Sequence, residues 1–117
     1  MIRNVVIDAV DAGRLADFWA KAAGFERGET SGAYVTLRST EQRYPRILIQ
    51  QVPEGKARAK NRVHLDLPAS SREEMEREVS RLEGLGARRL RDVEEDDGEV
   101  FTVLADPEGN EFCVVID

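Results

Sequence analysis

The sequence predicts an α+β fold made by using one small unit twice, and three observations carry that prediction. Apolar residues recur at helical spacing in two places, Leu15, Phe18, Trp19 and Ala22, then Met75, Val79 and Leu82. Each helical stretch is preceded by one β-branched run and followed by three short ones, so strand-helix-strand-strand-strand can be read over 1–53 and again over 62–117. The closing stretch turns on Asp106-Pro107-Glu108-Gly109-Asn110. It then alternates, with Phe112, Val114 and Ile116 on a core face and Glu111, Cys113 and Val115 on a lining face.

In chain order, Ile2 to Ala9 reads as the first strand, with Asn4, Val6 and Asp8 on a face too polar for a simple core. Asp11 stands where an N-cap is needed and Gly24 where a left-handed C-cap is needed, which bounds a helix over 12–23. Strands follow at 25–29, 33–39 and 46–52, with Ser31-Gly32 turning between the first two. The segment 54–61 has Pro53 before it, contains Gly55 and several charges, and shows no apolar period, so it is a linker. The second copy begins with a strand over 62–67. Ser70 or Ser71 caps a helix ending at Leu85-Gly86, and strands follow at 88–93, 99–105 and 111–117. Asn4 then corresponds to His64, and Ile49-Gln50 to Phe112-Cys113. A repeated unit that cannot bury its sheet alone implies that the halves fold as one domain.

With 17 basic and 23 acidic side chains, the net charge of −6 gives no general attraction for phosphate backbones, so nucleic acid is not an expected partner. The basic run from Lys56 to Arg62 reads as a solvated connector. A single cysteine cannot form an internal disulfide, and no apolar run reaches the roughly 20 residues of a membrane span. The N-terminus has no signal-peptide pattern. These features predict a cytoplasmic protein with no membrane association.

Five pieces spread along the chain, 11–19, 47–54, 60–67, 85–87 and 105–113, resemble the vicinal oxygen chelate superfamily of glyoxalase I, the bleomycin-resistance proteins and the extradiol dioxygenases. The resemblance is strongest to its small glyoxalase-like domain group. It implies that the two βαβββ modules form an open, curved mixed β-barrel around a cavity, with the helices outside, and that the protein is a homodimer. It also implies four inward positions that hold a divalent ion in metal-using members, here Asn4, Gln50, His64 and Cys113. Only His64 keeps the family's ligand type. Two amides, one imidazole and one thiol are a poor shell for a hard or borderline cation, even with Asp66 or Glu111 nearby, so the site reads as degenerate and the protein as needing no metal cofactor.

His64, the single histidine, is a candidate acid-base group, and Asp66 shares its face and is placed to orient it; the alternative is a hydrogen-bonded relic. Asn4 and Gln50 suit a neutral polar ligand, or else satisfy one another. Cys113 is either a ligand contact or a small buried hydrophobe. Glu111 lies on the same inward face. Adjacent Phe18 and Trp19 are not expected to face the same way; each reads first as a core residue, and the alternative for Trp19 is a cap over the cavity or a subunit contact. Arg46 and Arg62, near strand starts, either receive an anion or pair on the surface. Three readings follow: a metal-free binder of a small molecule, a lyase or isomerase with His64 as proton shuttle, and an interaction module with a filled cavity. A metal-dependent glyoxalase or dioxygenase is the remaining alternative.

Overall fold

Asp11 begins the first helix by accepting the amide of Arg14 at 3.1 Å, and Gly24 ends it at φ 70°, a left-handed conformation that glycine adopts without steric cost. This sets α1 at Ala12–Ala23, as the sequence predicts. In the computed structural model, which describes residues 1–41 and 43–116, the chain divides into two compact units, Met1–Ala57 and Arg58–Asp117. Asp117, assigned above to the last strand, lies outside the described residues, as does Gln42.

The first unit contains β1 (Asn4–Ala9), α1, β2 (Phe25–Ser31), β3 (Tyr34–Ser39) and β4 (Arg46–Gln51) in a sheet of order β1-β4-β3-β2. β1 pairs parallel with β4 and the other pairs are antiparallel. β3 and β4 each have a neighbour on both sides, and together they supply the core of this sheet: Ile49 and Leu37 are fully buried, with Val35 beside them on the face that meets α1. Phe18 and Trp19 are both buried, contrary to the expectation that they face different ways, with ring centroids 5.3 Å apart and planes at 90°. Helix neighbours point about 100° apart, and a stripe that also buries Leu15, Ala16 and Ala22 is wide enough to take both rings. Trp19 is therefore a core residue of the first unit and not a lid over a ligand. Gln51 ties this unit's helix to its sheet, since its Oε1 accepts the Ala12 amide at 2.9 Å.

The second unit repeats the plan with β5 (Asp66–Ala69), α2 (Arg72–Leu85), β6 (Arg88–Glu94), β7 (Val100–Ala105) and β8 (Glu111–Ile116), ordered β5-β8-β7-β6. Ser71 is the N-cap of α2, its hydroxyl accepting the Glu74 amide at 3.1 Å, while the Glu74 carboxylate returns to Ser70. Met75, Val79 and Leu82 bury one face of the helix against a sheet whose inner side holds Phe112, Val114 and Leu104.

β5 departs from the sequence reading. It starts at Asp66, not Arg62, and Val63, expected to pack on a helix, is 75% exposed. The reason is its partner. The register sets Asp66 against Cys113, and β8 begins only at Glu111, so the ladder reaches back no further than Leu65, whose carbonyl accepts the Cys113 amide at 2.9 Å. Pro68 lies inside β5, where its missing N–H is tolerated because β5 is the edge of its sheet. β1 is likewise shorter than expected, because its first rung is the Arg3 carbonyl accepting from Arg46 N at 2.9 Å.

Phe112 is 1% exposed between β7 and α2, so Phe112→Ala leaves a large cavity and is expected to cost about 3–5 kcal/mol in urea unfolding. Arg77→Ala, which breaks only the exposed pair with Glu73, is expected to cost less than about 0.5 kcal/mol.

Candidate functional site

Strand alternation and register bring one set of side chains together on the sheet face of the second unit opposite α2. Cys113 on β8 is in register with Asp66 on β5 and Val103 on β7, and Val103 with Arg91 on β6. Val115 is in register with Phe101. His64, Asp66, Glu99, Phe101, Cys113 and Val115 line a pocket of about 300 Å³ on this face. Three residues singled out in the sequence, His64, Asp66 and Cys113, therefore share one cavity.

The His64 ring is held differently from the sequence expectation. Its Nε2 lies 3.0 Å from the backbone oxygen of Asn61, and among the described residues it makes no hydrogen bond with Asp66. A carbonyl oxygen can only accept, so Nε2 carries the proton and the lone pair of the neutral ring is on Nδ1. Asn61 is itself tethered, its amide donating to Glu111 Oε1 at 3.4 Å. Glu111 thus contributes by fixing the loop that holds the imidazole and does not line the pocket.

Cys113 is 4% exposed. Burial pushes its thiol above the usual range, Asp66 and Glu111 add to that effect, and Arg91 and Lys60 oppose it. This is the reverse of what a nucleophilic or metal-ligating thiolate requires. The residue is a neutral, weakly polar wall of the pocket.

In the first unit, Asn4 Oδ1 accepts from Arg46 Nε at 3.1 Å, and the Arg46 guanidinium stands 5.6 Å from the Tyr44 ring centroid. Arg46 therefore engages an amide and an aromatic face instead of a surface carboxylate. Gln50, in register with Asp8 and Tyr34, is half-buried and has no side-chain hydrogen bond among the described residues. The four positions that the resemblance implies for a metal, Asn4, Gln50, His64 and Cys113, offer a donor set that fits a divalent ion poorly. Asn4 already faces a cation, Cys113 is held protonated, and among the described residues no three His, Cys, Asp or Glu side chains are grouped to hold a metal.

Glu99 and Phe101 were missed in the sequence. The sequence places both in a strand over 99–105 without assigning them a lining face; β7 begins at Val100, its register sets Phe101 opposite Val115 on the Cys113 side, and Glu99 immediately precedes the strand. A second groove of about 370 Å³ runs along α2 and β6, but its charges are already matched. Arg72 pairs with Glu94 at 3.0 Å, Arg89 with Glu76 at 2.7 Å, and the buried Thr102 hydroxyl donates to Asp92 at 2.8 Å. No helix of the described residues is long and apolar enough to cross a membrane.

The sequence pattern of the family described as glyoxalase-like domain matches residues 4–115. No functionally curated protein matches at a significant level. Among solved structures, the chain is similar to a glyoxalase/bleomycin resistance protein/dioxygenase family enzyme from Burkholderia phytofirmans PsJN, with 19% identity and a TM-score of 0.77 over 97% of this chain and 95% of that one. It is also similar to a lactoylglutathione lyase from Agrobacterium tumefaciens, with 18% identity and a TM-score of 0.69 over 99% and 92%. A glyoxalase-related enzyme from Fulvimarina pelagi gives 14% identity and a TM-score of 0.77 over 100% and 88%. At these identities the likeness establishes the fold alone.

Because ionisation of Cys113 is disfavoured in the folded protein, iodoacetamide alkylation of native protein is expected to show a pH midpoint above that of the unfolded chain, and Asp66→Asn is expected to lower it. The sign for stability follows. A folded pKa above the unfolded one favours the native state below the unfolded thiol pKa, about 8.5, and that contribution is lost as pH rises through the folded value. Cys113→Ala is expected to flatten the alkaline limb of a stability-against-pH curve.

Proposed function

Because this chain belongs to the glyoxalase-like domain family, we propose that it binds a small molecule of mixed polarity in the pocket of its second unit, without a divalent metal. The observation that carries this reading is the meeting of His64, Asp66 and Cys113 with the apolar Phe101 and Val115 around about 300 Å³. Ligand sites combine an apolar wall with a few polar groups that fix orientation, and this volume suits a compact metabolite more than a large drug. The low aromatic content, 6%, agrees, since a broad planar ligand wants more stacking surface. Metal independence is supported by the donor chemistry, in which a protonated thiol and an amide facing Arg46 replace charged ligands.

A second reading, a lyase or isomerase, is favoured by one specific feature, the Asn61 carbonyl that fixes the His64 tautomer. With Nε2–H committed to the backbone, Nδ1 of His64 is the atom that takes a proton from a bound substrate and returns it to a neighbouring position.

A thermal-shift screen over metabolites tests the binding reading. A ligand at about 100 times its Kd adds about 2.7 kcal/mol and raises Tm by several degrees. The rise is expected to vanish in Val115→Phe, which fills the pocket, and to survive EDTA. Retention in Val115→Phe sinks the pocket assignment, and loss in EDTA sinks the metal-free one. For the enzymatic reading, ring ¹⁵N shifts of His64 at high pH are expected to show the Nε2–H tautomer; an Nδ1–H tautomer removes it.

A further inference from the structure

The two units differ in how far their first strand is paired. Counted from the helix caps Asp11 and Ser71, Asn4 and His64 are equivalent. The registers put Ala9 opposite Gln51 and Ala69 opposite Ile116, so Arg46 is the counterpart of Glu111, and not Leu48 as the sequence pairing of Ile49-Gln50 with Phe112-Cys113 implies. In the first unit these positions form a rung. Asn4 is opposite Arg46, the Arg3 carbonyl accepts the Arg46 amide at 2.9 Å, and the two side chains bond at 3.1 Å. The register of the second unit would set His64 opposite Glu111 in the same way, but its pairing ends with Asp66 opposite Cys113. Asn61 stands between the two side chains instead, its carbonyl 3.0 Å from His64 Nε2 and its amide 3.4 Å from Glu111 Oε1.

The backbone is aligned for the open rung. Cys113 donates to the Leu65 carbonyl, and residues two apart in a strand turn their N–H and C=O to the same side, so Glu111 presents both groups toward 63–65. No backbone bond joins Glu111 to Val63 or Leu65 among the described residues. Closing the rung exchanges the two Asn61 bonds, one of them long, for two backbone bonds and a direct imidazole–carboxylate contact. The net worth of such bonds in water is small on either side, so the two arrangements are close in free energy.

We propose that residues 61–65 are a two-position strap. In the second position β5 lengthens back to His64: the Glu111 amide donates to the Val63 carbonyl, the Leu65 amide donates to the Glu111 carbonyl, and the Glu111 carboxylate takes the His64 ring from Asn61. His64 lines the pocket, so the two positions present different walls to whatever enters it. The strap goes beyond the binding reading and does not depend on it.

Amide hydrogen exchange and ¹⁵N relaxation dispersion on the full chain at pH 7 test it. In the wild type, the Leu65 and Glu111 amides are expected to exchange at least about tenfold more slowly than unstructured amides, although the rung is open in this structure. Residues 63–65 and 111 are expected to share one microsecond-to-millisecond process. Asn61→Pro deletes the N–H that Glu111 accepts and is expected to slow exchange at Leu65 and Glu111 about threefold further. Asn61→Ala keeps both backbone groups and is expected to change neither. The core amides of Phe112 and Val114 report whether the proline variant folds, and the wild-type measurement stands without it. Unprotected wild-type amides, an absence of dispersion, or a folded Asn61→Pro with no slowing overturns the strap and leaves the pocket assignment as it was.

Discussion

Each unit depends on its last strand being threaded between its first and third, parallel to one and antiparallel to the other. β4 and β8 are thereby hydrogen-bonded along both edges, which fixes their register from both sides. A slip of one residue in β8 would send Phe112 and Val114 to the outer face and Cys113 and Val115 under α2, exchanging core for pocket. The placement of every pocket residue follows from that register: Asp66 opposite Cys113, Phe101 opposite Val115 through β7, and His64 just before the ladder's first rung.

Two kinds of electrostatics coexist in the second unit. Along the helix and β6, arginines and carboxylates cancel one another in exposed pairs, each worth at most about 1 kcal/mol, which serves solubility more than stability. On the opposite face Asp66 and Glu99 are exposed acids without ion pairs among the described residues, next to a thiol that burial keeps neutral against the opposing pull of Arg91 and Lys60.

Local chemistry made most of the architecture legible. Asp11 and Gly24 bound α1, the stripe of Met75, Val79 and Leu82 gave α2 its buried face, and the alternation after Asn110 separated Phe112 and Val114 from Cys113 and Val115. What could not be read depends on pairing. The start of β5 is set by where β8 begins, so Arg62 to His64 carried strand-like residues without a partner strand. Phe18 and Trp19 share a core because the sheet beneath α1 is broad. The holder of His64 is the backbone carbonyl of Asn61, a group every residue possesses and no sequence pattern marks. Glu99 took its meaning only from its place before β7.

Pro68 has one more consequence. The Leu65 carbonyl bonds to β8, so by alternation Leu67 also faces β8, whereas Asp66 and Pro68 turn their backbone groups to the sheet's free border. At that border a proline offers no amide hydrogen to an incoming chain, and Asp66 adds a negative charge. A partly unfolded copy that tried to extend the ladder there would meet a missing rung and a repelling carboxylate, which guards this short strand against templating aggregates.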